Sequence, residues 1–141
     1  MNSRRVALAA VAATIFDAVY GFAVYGTLLA PEFAKYPNVY RTAESGQAFL
    51  PPMFGGLVIA LVAVTLIYAK GYEGGSGLAE GARFGLLLGV FVLFAFAAVN
   101  YATLNINRKL AGMVGVAGFL EWMIIGVIIG LVYKPAAGAR R

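Results

Sequence analysis

The sequence predicts an all-α fold, a polytopic membrane protein built as a bundle of four transmembrane helices, and three observations carry the prediction. The chain is 62% hydrophobic and 12% charged, with a mean hydropathy of +0.84, too apolar for a water-soluble domain. Apolar helices at 6–29, 49–69, 78–104 and 110–133 each have the roughly 20 residues needed to cross a hydrocarbon core. The alternation of a barrel strand is absent, and backbone groups in lipid must bond within their own segment, so the runs are helices. Residues 1–141 then form a single transmembrane domain with an outer loop at 30–50 and a cytoplasmic loop at 70–77.

The absence of Cys and His removes the usual ligands of zinc, haem and iron-sulfur clusters, and with them the His base of nucleophilic catalysis. No cofactor is implied. The net charge of +5 sits at helix ends and loops, which suits anionic headgroups; no interleaving of basic and aromatic residues points to nucleic acid. The lipid bilayer is the partner that the composition names. Four crossings place both termini on one side. With the termini in the cytoplasm of a bacterial inner membrane, Arg4, Arg5, Lys70, Arg83, Lys134, Arg140 and Arg141 lie inside against Lys35, Arg41, Arg108 and Lys109 outside, a positive-inside bias.

In the first helix, Arg4 and Arg5 precede residues 6–16 in the layout of a secretory signal. The apolar run continues past Asp17 to Ala30, so it reads as a retained span. Asp17 lies near its centre, where an ionisable group is costly and is by default a functional-site hypothesis. Tyr20, Gly21, Val24 and Leu28 follow it at helical spacing on one face, which Ala13 and Thr14 extend. Tyr20 and Tyr25 are candidate donors to its carboxylate in a polar cavity or relay. The bland alternative is a protonated Asp17 acting as interhelical glue, worth about 0.6 to 2 kcal/mol.

Residues 31–50 make a long connection whose Phe33, Tyr36, Tyr40 and Phe49 suit a membrane interface. Pro31, Pro37 and Gly46 predict that it is not one continuous helix. It is either an interfacial cap or a substrate-gating lid. The second helix opens on Pro51 and Pro52, tolerated in a first turn, and its Gly56 and Ala60 form a small-residue ridge, so its role reads as structural.

The glycines of the next loop lack the Lys and Ser or Thr of a phosphate cradle and read as a turn. Ser76 is the expected cap of the third helix, with Glu80 complementing its dipole. Gly77, Gly81, Gly85 and Gly89 form one ridge down that helix, the pattern that lets helices approach closely in lipid. Asn100 shares a face with Phe96, Ala97 and Leu104, and a buried amide needs partners, so it is expected to face the bundle.

The short link at 105–109 makes the third and fourth helices an antiparallel hairpin. Gly115 and Gly118 fall on the outer half of the fourth helix, and Gly126 and Gly130 form a GxxxG on its inner half. Glu121 lies about 11 residues, or roughly 16 Å, from its end of the span, and Asp17 the same distance from the opposite end of its own. The two carboxyls therefore reach a similar depth near the midplane. Two carboxylates held close do not both ionise, so the pair is expected to share a proton. Short echoes, residues 25–28 with 101–104 and 66–70 with 131–134, allow two parallel hairpin repeats.

Residues 75–86, with Gly75, Ser76, Gly77 and the run Phe84-Gly85-Leu86, followed by Asn100-Tyr101-Ala102-Thr103-Leu104 and by Glu121-Trp122, resemble a family of small four-helix bacterial integral membrane proteins of unknown function. The resemblance implies a matching site of Asp17, Asn100 and Glu121; the family has Asp where this chain has Glu121, and the long outer loop departs from its pattern. No activity comes with it.

Two functions are expected from these features. One is proton- or cation-coupled transport or permeation of a small solute, with Asp17 and Glu121 as the binding groups and Asn100, Tyr20 and Tyr25 lining the path, in a homo-oligomer. The other is a non-catalytic subunit or assembly factor of a larger membrane complex. An intramembrane enzyme using the two acids with a hard cation meets too few oxygen ligands.

Overall fold

The computed structural model describes residues 1–134. Arg140 and Arg141, which entered the charge comparison, lie outside the described residues. Four helices are long and apolar enough to cross a membrane: α1 (Ser3–Leu28), α2 (Ala43–Gly71), α3 (Gly77–Thr103) and α4 (Arg108–Tyr133). The protein is an all-α, multi-pass membrane protein. The helices alternate in direction, so one end of the bundle carries Ser3, Gly71, Gly77 and Tyr133 (the terminal end) and the other carries Leu28, Ala43, Thr103 and Arg108 (the loop end).

Helix α4 is the hub. It packs along α3 on one side and along α1 on the other, while α2 lies mainly against α1. Of its most apolar stretch 44% is buried, against 11% for α2. Its contact with α3 is made backbone to backbone. A methyl group on Gly81 would stand 2.7 Å from the carbonyl oxygen of Gly126, and one on Gly89 would stand 2.8 Å from that of Phe119. Gly77 and Gly85 meet the backbone of Gly130 and Met123 more closely still. Small residues are favoured at such seams because lipid gives apolar side chains no reason to associate, and dispersion between close backbones takes over.

The rest of the core gathers at the terminal end. Val6, Ala9 and Ala13 of α1 meet Leu61, Tyr68 and Ala69 of α2 and Ile125, Ile129 and Tyr133 of α4. Tyr68 sits edge-on to Phe84 at 5.2 Å and to Tyr133 at 5.9 Å, geometries that suit the ring quadrupoles. Arg5 donates from Nη1 to the Tyr133 carbonyl oxygen at 3.3 Å, placing a cation at the negative end of the α4 dipole. On α2 the buried positions begin at Leu61; residues 50–60 are exposed or half-buried, and a cleft opens between them and α1 toward the loop end.

Several local expectations are corrected. Ser76 occupies the cap position of α3 without a side-chain capping bond; the Glu80 carboxylate instead accepts from the backbone N–H groups of Glu73 and Gly75. Those amides lie in the preceding loop, and one acid within reach satisfies two orphan donors at once. The connection is, as expected, not one continuous helix: a first α-helical turn ends at Gly46 and leads through a tight turn at Gln47–Phe49 into the regular part of α2. Pro51 and Pro52 fall in the first turn of the regular α-helix that begins at Leu50, where a missing N–H costs little. A methyl group added at Gly56 of α2 would meet nothing among the described residues within 4 Å.

Two stretches depart from α-helical winding: Gly21–Leu28 in α1 and Leu93–Ala98 in α3 are π-helical. Each closes i to i+5 bonds and so rotates everything beyond it relative to a 3.6-residue reading. Leu28 is therefore 69% exposed and leaves the Asp17 face. Asn100 is likewise exposed, as are Phe96 and Leu104, while Ala97 alone of that set is buried. The hairpins differ too: α3 and α4 are pinned on glycine along their length, whereas α1 and α2 part toward the loop end.

Substitution of Gly81 by Ala is expected to cost about 1 to 3 kcal/mol of stability, the range for overpacking a closed contact, whereas Gly56→Ala should be neutral or mildly stabilising, with an open site and a better helix former. Unfolding midpoints of the two variants in detergent check this, and equal midpoints would contradict the seam.

Candidate functional site

The parting of α1 and α2 leaves a cleft of about 560 Å³ in the loop half of the bundle. Asp17, Phe22 and Tyr25 of α1, Leu50, Met53, Phe54 and Leu57 of α2, and Glu121 and Trp122 of α4 line it. Asp17 and Glu121 are 5% and 6% exposed. Asp17 lies about 11 residues from the loop end of α1 and Glu121 about 13 from that of α4, so their depths differ by about 3 Å at the helical rise. The carboxyls come from helices far apart in sequence and line one cleft.

Their surroundings differ. Tyr25 donates its hydroxyl to Oε2 of Glu121 at 3.0 Å. Tyr20 donates to the carbonyl oxygen of Ala117 at 2.9 Å, one turn before Glu121, and so ties α1 to α4 rather than to an acid. The two rings meet edge-on at 6.2 Å. Five residues apart on an α-helix they would diverge; the π turn beginning at Gly21 brings them to one side. A methyl group at Gly118 would lie 3.1 Å from Cγ1 of Val92 and at an ordinary contact distance of 3.6 Å from the Tyr25 hydroxyl. Asp17, by contrast, has no hydrogen-bond partner among the described residues, although it is buried and faces the cleft.

Four of the five residues singled out in the sequence are thus placed in or beside one site, with Tyr20 in a positioning role. Asn100 is not, for the winding reason given above. The wall contributed by α2 was missed because that helix reads as structural, yet Leu50, Met53, Phe54 and Leu57 follow the i, i+3, i+4, i+7 spacing of a single face. Trp122 adjoins Glu121 and could have been found from that adjacency. Among the described residues, no group of three or more His, Cys, Asp or Glu side chains comes together, so the donors to any bound cation would be the two carboxyls and Tyr25.

A second cavity, also about 560 Å³, lies toward the loop end and is lined by Ala30, Phe33, Tyr40 and Arg41. It shares Tyr25 and Gly26 with the cleft. The connecting segment that roofs it is fastened to α4: Glu32 pairs with Lys35 at 2.8 Å and with Lys109 at 2.9 Å, and the Asn107 backbone N–H donates to the Tyr36 hydroxyl at 3.2 Å. Phe33 packs against Tyr40 with the rings tilted by 53° and their centroids 4.8 Å apart, and the Arg41 guanidinium lies 3.5 Å above the Phe49 ring, a cation–π contact. Comparison with protein-family models, with curated proteins and with solved structures finds no match, so a functional reading rests on this geometry.

The ammonium groups of Lys35 and Lys109 bonded to Glu32 hold its carboxyl below the ordinary value of 4.5. A depressed folded-state value stabilises above the ordinary value and is lost as the pH falls through the folded one. The roof should therefore loosen in acid below about pH 4.5. A spin label on Asn38→Cys, in a chain otherwise free of cysteine, is expected to gain mobility over that range, and to be mobile at neutral pH when Glu32→Gln is added. Mobility independent of pH in the native background would contradict the fastening.

Proposed function

We propose that this protein is a small carrier or permeation unit in which Asp17 and Glu121 bind a proton or a cation and couple its movement to that of a small solute. The supporting observation is the pair itself: two acids held out of water at one depth on one cleft, Glu121 bonded to Tyr25 and Asp17 left without a partner. An intramembrane acid used only as glue bonds a neighbouring helix, and Asp17 does not. A carboxyl that is buried and unpartnered is suited to exchanging a proton for another cation. The second cavity gives a route of approach from the loop end, with Tyr25 between the two spaces.

The orientation that goes with this reading puts both termini in the cytoplasm of a bacterial inner membrane. Arg4, Arg5, Lys70, Arg83 and Lys134 then face inward against Lys35, Arg41, Arg108 and Lys109 outside, of which Lys35 and Lys109 pair with Glu32. The bacterial setting rests on the motif resemblance. A homo-oligomer is consistent with the open Gly55 and Gly56 positions of α2, where an added methyl group would meet nothing among the described residues within 4 Å and a neighbouring helix has room to approach. The same open face favours a second reading, a non-catalytic subunit of a larger membrane complex.

Proton flux into proteoliposomes under an imposed pH gradient separates the two. In the carrier reading, Asp17→Asn, which preserves size, reduces flux to the level of protein-free liposomes. Flux unchanged by that substitution would remove the carrier reading and leave the subunit.

A further inference from the structure

We infer that the ligand of the cleft is a lipophilic organic cation: a positive head at Asp17 and Glu121, an apolar body between α1 and α2, and entry sideways from the bilayer. The inference rests on the assignment of the two carboxyls as the binding groups and adds the class of molecule they bind.

Size comes first. A proton or a bare metal ion would occupy a small part of about 560 Å³, whereas that volume falls within the roughly 300 to 1,000 Å³ of sites for drug-sized molecules. Charge comes next. The charged side chains of the lining are Asp17 and Glu121, and no Lys or Arg among the described residues lines the cleft, so an anion would be repelled and a cation paired. Asp17 already offers a carboxyl, buried and without a hydrogen-bond partner, to such a head group. A buried charge is tolerated when it is paired, and a cation supplies the pair that the protein does not.

The walls complete the argument. Phe22, Tyr25, Phe54 and Trp122 line the same cleft as the carboxyls, and aromatic rings attract cations and accept apolar groups alike. The rim is turned toward lipid: Phe22 is 76% exposed, Met53 48% and Leu50 44%. Because the cleft opens between α1 and residues 50–60 of α2, a molecule dissolved in the bilayer reaches the carboxyls without passing the roof.

The protein carries its own reporter, since Trp122 is the single tryptophan of the chain and lines the cleft. Purified protein in lipid nanodiscs is titrated with tetraphenylphosphonium and with tetraphenylborate, ions of one shape and opposite charge, with protein-free nanodiscs correcting for partitioning. The phosphonium is expected to change Trp122 fluorescence saturably, and the borate is not. Asp17→Asn with Glu121→Gln should weaken phosphonium binding at least tenfold, and Asp17→Glu, which keeps the charge, should retain it. Equal binding of the borate, or undiminished phosphonium binding in a folded double variant, would overturn the inference. If Asp17→Asn abolishes proton flux but the phosphonium does not bind, the ligand class falls and the carrier stands. If the phosphonium binds at the carboxyls and flux is indifferent to Asp17→Asn, the ligand class stands and the carrier falls.

Discussion

The close approach of α3 to α4 is the constraint on which the remaining geometry depends. In lipid the apolar side chains of two helices gain little by meeting, so the association needs backbones near enough for dispersion and complementary shape. Gly77, Gly81, Gly85 and Gly89 face Gly126, Gly130 and the backbone of Met123 and Phe119. That contact consumes one side of α4. Glu121 lies about half a turn away from it, on the side that receives α1. The glycine seam thus decides which helix Glu121 meets, and Tyr20 and Tyr25 of α1 fasten that meeting with hydrogen bonds to Ala117 and Glu121.

The cleft follows from a difference between the two hairpins. Helix α2 is held to the bundle by Leu61, Thr65, Tyr68 and Ala69 at the terminal end, and nothing comparable holds its first half. The bundle is closed by aromatic packing at one end and open at the other, with the acids at the boundary between the two regimes. Burial there carries a cost, which Tyr25 offsets for Glu121, whereas the Asp17 carboxyl opens on the cleft with no hydrogen-bond partner among the described residues. A site left with such a cost is one that a ligand can relieve, which links the helix packing to the proposed cation site.

The four spans were legible in the sequence because their signal, apolar length, is the same in any arrangement of the helices. So was the glycine ridge of α3, and so were Asp17 and Glu121, whose cost is independent of their neighbours. The π segments were not legible. Their occurrence at Gly21–Leu28 and Leu93–Ala98 leaves no mark in the apolar pattern, and a 3.6-residue reading carried past them misplaces whatever follows. That one omission accounts both for Asn100, assigned inward and found exposed, and for Leu28, assigned to the Asp17 face and found turned away. It also hid the pairing of Tyr20 with Tyr25. The α2 wall was overlooked for a different reason: Met53, Phe54 and Leu57 carry no polar group to mark a site, and their meaning comes only from the acids opposite.

Reaction with dicyclohexylcarbodiimide, an apolar reagent that modifies protonated carboxyls within membranes, tests most directly whether Asp17 and Glu121 form one exchangeable site. Mass spectrometry of the labelled protein should find one adduct per chain, on Asp17 or on Glu121 but not on both, because a bulky group in the shared cleft blocks the second. Prior addition of tetraphenylphosphonium should protect against it. Absence of any adduct at these residues, or simultaneous modification of both, would contradict a single shared carboxyl site at the midplane.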